Sequence, residues 1–70
     1  MNWNYRVIRT YTNNEESFSI HEVYYDDEGN PKLVSEKSIA PYGDNMDELK
    51  KDLQHMLMAF DKPVLDYDQF

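Results

Sequence analysis

The sequence predicts an α+β domain, a three-stranded antiparallel β-meander with one C-terminal amphipathic helix packed on one face. Two observations carry this expectation. Aromatic and β-branched residues alternate at period two over the first 25 residues, and a single apolar stripe at period 3.6 runs from residue 46 to residue 60. At 70 residues the chain is one small domain. A domain this short buries only about 60% of its unfolded surface, so its core is thin.

The first strand is expected over Trp3 to Tyr11, where Trp3, Tyr5, Val7 and Tyr11 alternate with Asn4, Arg6, Ile8 and Thr10. Asn13-Asn14-Glu15-Glu16 supplies turn chemistry, since asparagine tolerates positive φ. The second strand is expected over Ser17 to Tyr25, with Phe18, Ile20 and Tyr24 on one parity and His21, Val23 and Tyr25 on the other. The segment Asp26 to Pro31 makes the next turn, because Gly29 can take the left-handed conformation of a tight hairpin. A weaker third strand follows over about Lys32 to Ile39. The helix stripe comprises Met46, Leu49, Leu53, Met56, Leu57 and Phe60. Asn45 followed by Glu48 forms an Asn version of the capping box. Pro63 ends the helix by forcing its predecessor out of the α region. The domain is expected to span residues 1–65, with 66–70 an acidic, mobile tail.

A four-residue first loop would set Thr12 opposite Ser17, and a second hairpin would set Tyr24 opposite Leu33. One face then collects Trp3, Tyr5, Val7, Tyr11, Phe18, Ile20, Tyr24, Leu33 and Ile39, and the helix is expected to roof it. Arg9, Glu22 and Lys37 share that face and read as a salt-bridged patch. The opposite face carries Arg6, Ile8, His21, Val23, Tyr25 and Val34. These six residues are the candidate interaction surface, an apolar patch with a polar surround. An ordinary open sheet face, or a face covered by the tail, are the other readings.

Composition restricts the chemistry. Fourteen Asp and Glu against seven Lys and Arg give a formal charge of −7, which argues against a nucleic-acid partner. Cysteine is absent, so disulfides and thiolate metal sites are excluded. No apolar run reaches the roughly 18 residues of a membrane span, and no apolar stretch reads as a signal peptide. The expectation is a cytoplasmic protein without a membrane or nucleic-acid partner. The two histidines, His21 and His55, lack a zinc-ligand spacing, and Asp26-Asp27-Glu28-Gly29-Asn30 lacks the ligand order of a calcium loop. Ser17, Ser19, Ser35 and Ser38 stand in strand candidates without a nucleophile elbow. With two glycines, no phosphate-cradling loop exists. No cofactor, metal or catalytic residue is assigned.

The opening Met1-Asn2-Trp3-Asn4-Tyr5-Arg6-Val7-Ile8-Arg9, the stretch Ile20 to Asp26, the Gly29-x-Pro31 turn and Lys62-Pro63-Val64-Leu65 resemble a group of short bacterial proteins of unknown function. That resemblance implies a small bacterial domain and no activity. Strands followed by Tyr42-Gly43-Asp44-Asn45 and an amphipathic helix are also similar to HicB-type antitoxin domains, at the level of fold. The chain departs from that pattern in lacking a Pro-Asp-Leu-Pro-Gly-Cys-like segment and a DNA-binding appendage. The functional expectation is a non-enzymatic protein-interaction module acting on a protein partner or a second copy. The alternatives are an antitoxin-like or inhibitor-like acidic binder of a basic partner, and a small enzyme with its site at an oligomer interface.

Overall fold

The computed structural model describes residues 2–70, so the expected domain start at Met1 lies outside the described residues. The fold is α+β. Strands β1 (Asn2–Thr12), β2 (Glu15–Tyr25) and β3 (Pro31–Val34) form an antiparallel meander. Helix α1 (Met46–Leu57) follows and tightens into a 3₁₀ turn over Met58–Asp61. The chain then returns as a two-residue strand, β4 (Leu65–Asp66), parallel to β1, and closes in a 3₁₀ turn over Tyr67–Gln69. The sheet order is β3-β2-β1-β4, so it has four strands and is mixed, where three antiparallel strands were expected. No helix among the described residues is long and apolar enough to cross a membrane.

The first hairpin is tighter than the expected four-residue loop. Asn13 and Asn14 both take positive φ, 54° and 65°, as a two-residue type I′ turn requires. Thr12 therefore pairs with Glu15, and Trp3 pairs with Tyr24. The register differs from the expected one by two residues. Because side chains alternate at period two, each residue keeps its expected face. The second hairpin pairs Tyr24 with Leu33 as anticipated. There Asp26 Oδ1 accepts from the N–H groups of Glu28 and Asn30, and Gly29 sits at φ 82°.

β3 stops at Val34, short of the expected Ile39. The Ser35 N–H still donates to the Glu22 carbonyl, but its hydroxyl donates to the Lys37 carbonyl and its own carbonyl is taken by His21, so the ladder ends there. Pairing resumes at one point, where the Ile39 N–H donates to the Ile20 carbonyl.

The helix starts where its cap places it. Asn45 Oδ1 accepts from the Glu48 N–H at 2.9 Å. The Glu48 carboxylate reaches back to the N–H of Asp44, one residue before the position a capping box uses. Gly43 lies against the backbone of Glu48 and Leu49, and a β-carbon there would collide with the Leu49 amide nitrogen. Lys62 is extended, at φ −118° and ψ 157°, as a residue before proline must be.

The core is where the sequence reading expected an open face. Ile8 and Val23 are completely buried, Arg6 and His21 nearly so, and Tyr25 and Val34 half-buried. The physical reason lies in the last residues. Instead of a mobile tail, Leu65 and Asp66 pair with Ile8 and Arg9, and the Tyr67 ring meets His21 edge-on at 5.9 Å. Arg6 Nη2 donates to the Pro63 carbonyl at 2.7 Å, and Nη1 donates to the Tyr25 hydroxyl at 2.8 Å. The Tyr25 hydroxyl in turn donates to Asn4. The face expected to be roofed does meet the helix, at Tyr5, but is covered only in part. Val7 is buried, but Trp3, Tyr11, Phe18 and Leu33 are each about half exposed.

Two outcomes follow. A chain ending at Pro63 loses β4 and the cover over Ile8 and Val23, each of which contributes about 2 kcal/mol when buried. Against a total of roughly 5 kcal/mol for so small a domain, this chain is expected to lose cooperative urea unfolding by circular dichroism. A sharp transition at the wild-type midpoint would contradict the assigned core. Gly43→Ala is expected to lower stability by about 1–3 kcal/mol in the same assay, since backbone rather than a flexible side chain must give way.

Candidate interaction surface

α1 is tied down along one edge. The Tyr5 hydroxyl donates to Asp52 Oδ1 at 2.7 Å, and Asp52 Oδ2 accepts the Tyr42 N–H at 2.9 Å. One carboxylate thus joins β1, the connecting loop and the helix. On this side Met56 and Ala59 are buried and Asp52 is half-buried. The line Leu53-Leu57-Phe60 lies about one residue step further round, a rotation of about 100°. That rotation turns most of the expected core stripe outward. Met46 is 86% exposed, Leu53 48%, Leu57 58% and Phe60 67%. Leu49 is exposed beside them. Of the six stripe residues, only Met56 is core.

The part of this sheet face that the helix leaves uncovered is a second apolar region. Trp3 stands edge-on to Tyr5 with ring centroids 5.2 Å apart and lies 6.5 Å from Tyr24. Arg9 sits 5.8 Å above the Tyr11 ring. The expected Arg9–Glu22–Lys37 patch does not form. Arg9 Nε instead bonds Asp66 at 2.6 Å, with Glu16 at 3.7 Å, while Glu22 accepts from the Tyr24 hydroxyl. This pairing lowers the Asp66 pKa, chiefly through the bond from Arg9. Lys37 is exposed. Arg9 therefore helps hold the returning C-terminus against β1.

His21 is engaged within the fold. Nδ1 lies 2.9 Å from the Ser35 carbonyl, which can only accept, so Nδ1 carries the hydrogen. Nε2 is then the acceptor for the Ser19 hydroxyl at 3.0 Å. A serine beside a histidine invites a catalytic reading. Here, however, both side chains project from one strand, with His21 against Tyr67. Two grooves, of about 570 and 500 Å³, are lined by neither residue. The larger runs between Trp3, Asn4 and Tyr5 and the helix end at His55, Met58, Asp61 and Lys62. The smaller lies between Tyr5, Ile39 and Tyr42 and the helix at Glu48, Asp52 and His55. His55 is exposed, as a helix position two beyond Leu53 suggests. Among the described residues no cluster of three or more His, Asp or Glu could hold a metal ion.

The six sequence-predicted surface residues are thus brought together, but as core rather than surface. The exposed helix ridge was assigned to the core. The signal that distinguishes the two sits in the C-terminal residues, where Leu65, Tyr67 and Phe70 offer apolar cover for the second sheet face. The fold and surface define a small α+β protein with two exposed apolar regions. Comparison of the chain with protein-family models, with curated proteins and with solved structures gave no match.

The Tyr5–Asp52 contact sets a pH dependence. Burial, then the bond to the Asp52 carboxylate, push the Tyr5 hydroxyl up to about 12. The Tyr42 N–H and then the Tyr5 hydroxyl hold Asp52 below the usual carboxylate range. Tyr5 keeps its proton more tightly when folded. Its contribution is therefore complete below its unfolded pKa near 10 and is lost as pH rises from 10 through about 12. The Asp52 contribution is present above its unfolded pKa near 4 and is lost as pH falls below that. Tyr5→Phe is expected to remove one high-pH step from the ultraviolet titration of the tyrosines and to flatten stability between pH 10 and 12. An unchanged alkaline titration would refute the contact.

Proposed function

We propose that the chain is a non-enzymatic protein-interaction module whose working surface is the apolar ridge of α1. The observation that carries this reading is the outward rotation of Leu53, Leu57 and Phe60, three large apolar side chains in one unbroken line. Soluble proteins seldom leave such contiguous area uncovered unless it meets a partner. The groups with catalytic potential are committed elsewhere, His21 and Ser19 to the ladder beside Ser35 and Asp52 to Tyr5 and Tyr42. A reducing cytoplasm suits a chain without cysteine.

The antitoxin-like reading, in which acidic side chains occupy a basic site, draws less support. Asp26 is occupied in capping its turn, Asp52 in anchoring the helix and Asp66 in binding Arg9. Binding through the ridge should depend weakly on salt, whereas an acidic binder should weaken steeply as salt rises.

The Leu53→Asp, Leu57→Asp double variant separates surface from core. It is expected to stay folded, with stability within about 1 kcal/mol of wild type by urea denaturation, while losing association. A double variant that does not fold would place the two leucines in the core and end this reading.

A further inference from the structure

We infer that the occupant of the α1 ridge is a second copy of this chain, laid antiparallel across the first about a twofold axis near Leu53. This rests on the interaction reading above and names its partner.

Area is the first argument. The chain exposes 5506 Å². A compact monomer of 8.4 kDa exposes about 4,600 Å², leaving an excess of about 900 Å². A standard interface removes roughly 800 Å² from each partner. The excess therefore matches what one such interface covers. The molecule is correspondingly flat, with extents of 37 × 33 × 21 Å.

Self-complementarity is the second. A twofold interface uses the same patch on both copies. With the axis at Leu53, Leu49 of one copy meets Leu57 of the other, and Met46 meets Phe60. Large side chains thus meet large side chains along the whole ridge. The sheet face fits a second copy less well, because Arg9 and Glu22 interrupt its apolar area.

Charge is the third. At −7 the chain repels its own copy, but the α1 segment carries little of that charge. Residues 46–62 hold Asp47, Glu48, Asp52 and Asp61 against Lys50, Lys51 and Lys62, a net of −1.

Sedimentation of the full chain from about 1 µM to about 300 µM tests this. The mass is expected to rise to twice that of the chain. The Leu53→Asp, Leu57→Asp variant is expected to remain single, or to need at least about tenfold more protein to pair. Because the chain has no cysteine, Leu53→Cys is expected to oxidise to a covalent dimer, whereas Tyr11→Cys on the sheet face is not. Wild type of single-chain mass throughout would overturn the self-pairing. So would a dimer indifferent to the aspartates and cross-linked through position 11. Neither outcome is the one that ends the interaction reading, which falls if the double variant fails to fold.

Discussion

The return of the C-terminus onto β1 is the constraint on which the rest of the structure depends. A meander this small has two faces and one helix. Whichever face the helix leaves uncovered must find other cover or remain wet. Arg6 settles the matter at Pro63, where its guanidinium takes a carbonyl two residues beyond the helical segment and, through Tyr25 and Asn4, ties it to the sheet. Two residues later the chain is parallel to β1, and Arg9 holds Asp66. Ile8 and Val23 are sealed as a consequence.

Arg6 is an unusual centre for so thin a core. It is more than nine-tenths buried, its Nε has no partner, and its bonds run to a hydroxyl and a carbonyl rather than a carboxylate. A buried charge is costly unless hydrogen-bonded, so the arginine is poor as a source of stability and good as a source of specificity. Few other arrangements of residues 62–67 would satisfy it. The aliphatic stem adds apolar packing next to Ile8 in sequence, the usual way a long basic side chain contributes to a core.

Much of this was legible in the residues. Alternation in Trp3–Tyr11 and Ser17–Tyr25 gave the long hairpin and the parity of every side chain, since period two survives a register error of two. Asn45, Glu48 and Pro63 marked the two ends of the helical segment through local chemistry alone. The turn at Asn13-Asn14 was identified but its length was not, because one asparagine in the left-handed region looks the same in sequence as two. The largest departure was the cover over the second face. Both sheet faces carry enough apolar residues to be buried, and local pattern does not say whether the chain will cover one or both. That choice is made by long-range contacts from Pro63, Leu65 and Tyr67, which carry no periodic signal. The helix stripe was read correctly as a stripe. Its rotation relative to the sheet is set by the Tyr5–Asp52–Tyr42 anchor, and that anchor is visible only in three dimensions.

Covering one sheet face with the tail and pinning the helix by its polar edge leaves the leucine ridge as surface, so fold and proposed role share one cause. The most direct test is a nuclear Overhauser experiment on the isotope-labelled full chain. The structure predicts cross-peaks between the Tyr67 and His21 rings, together with slow amide exchange at the β1–β4 pairing. Absent cross-peaks, with fast exchange and coil-like relaxation over residues 65–70, would contradict the account.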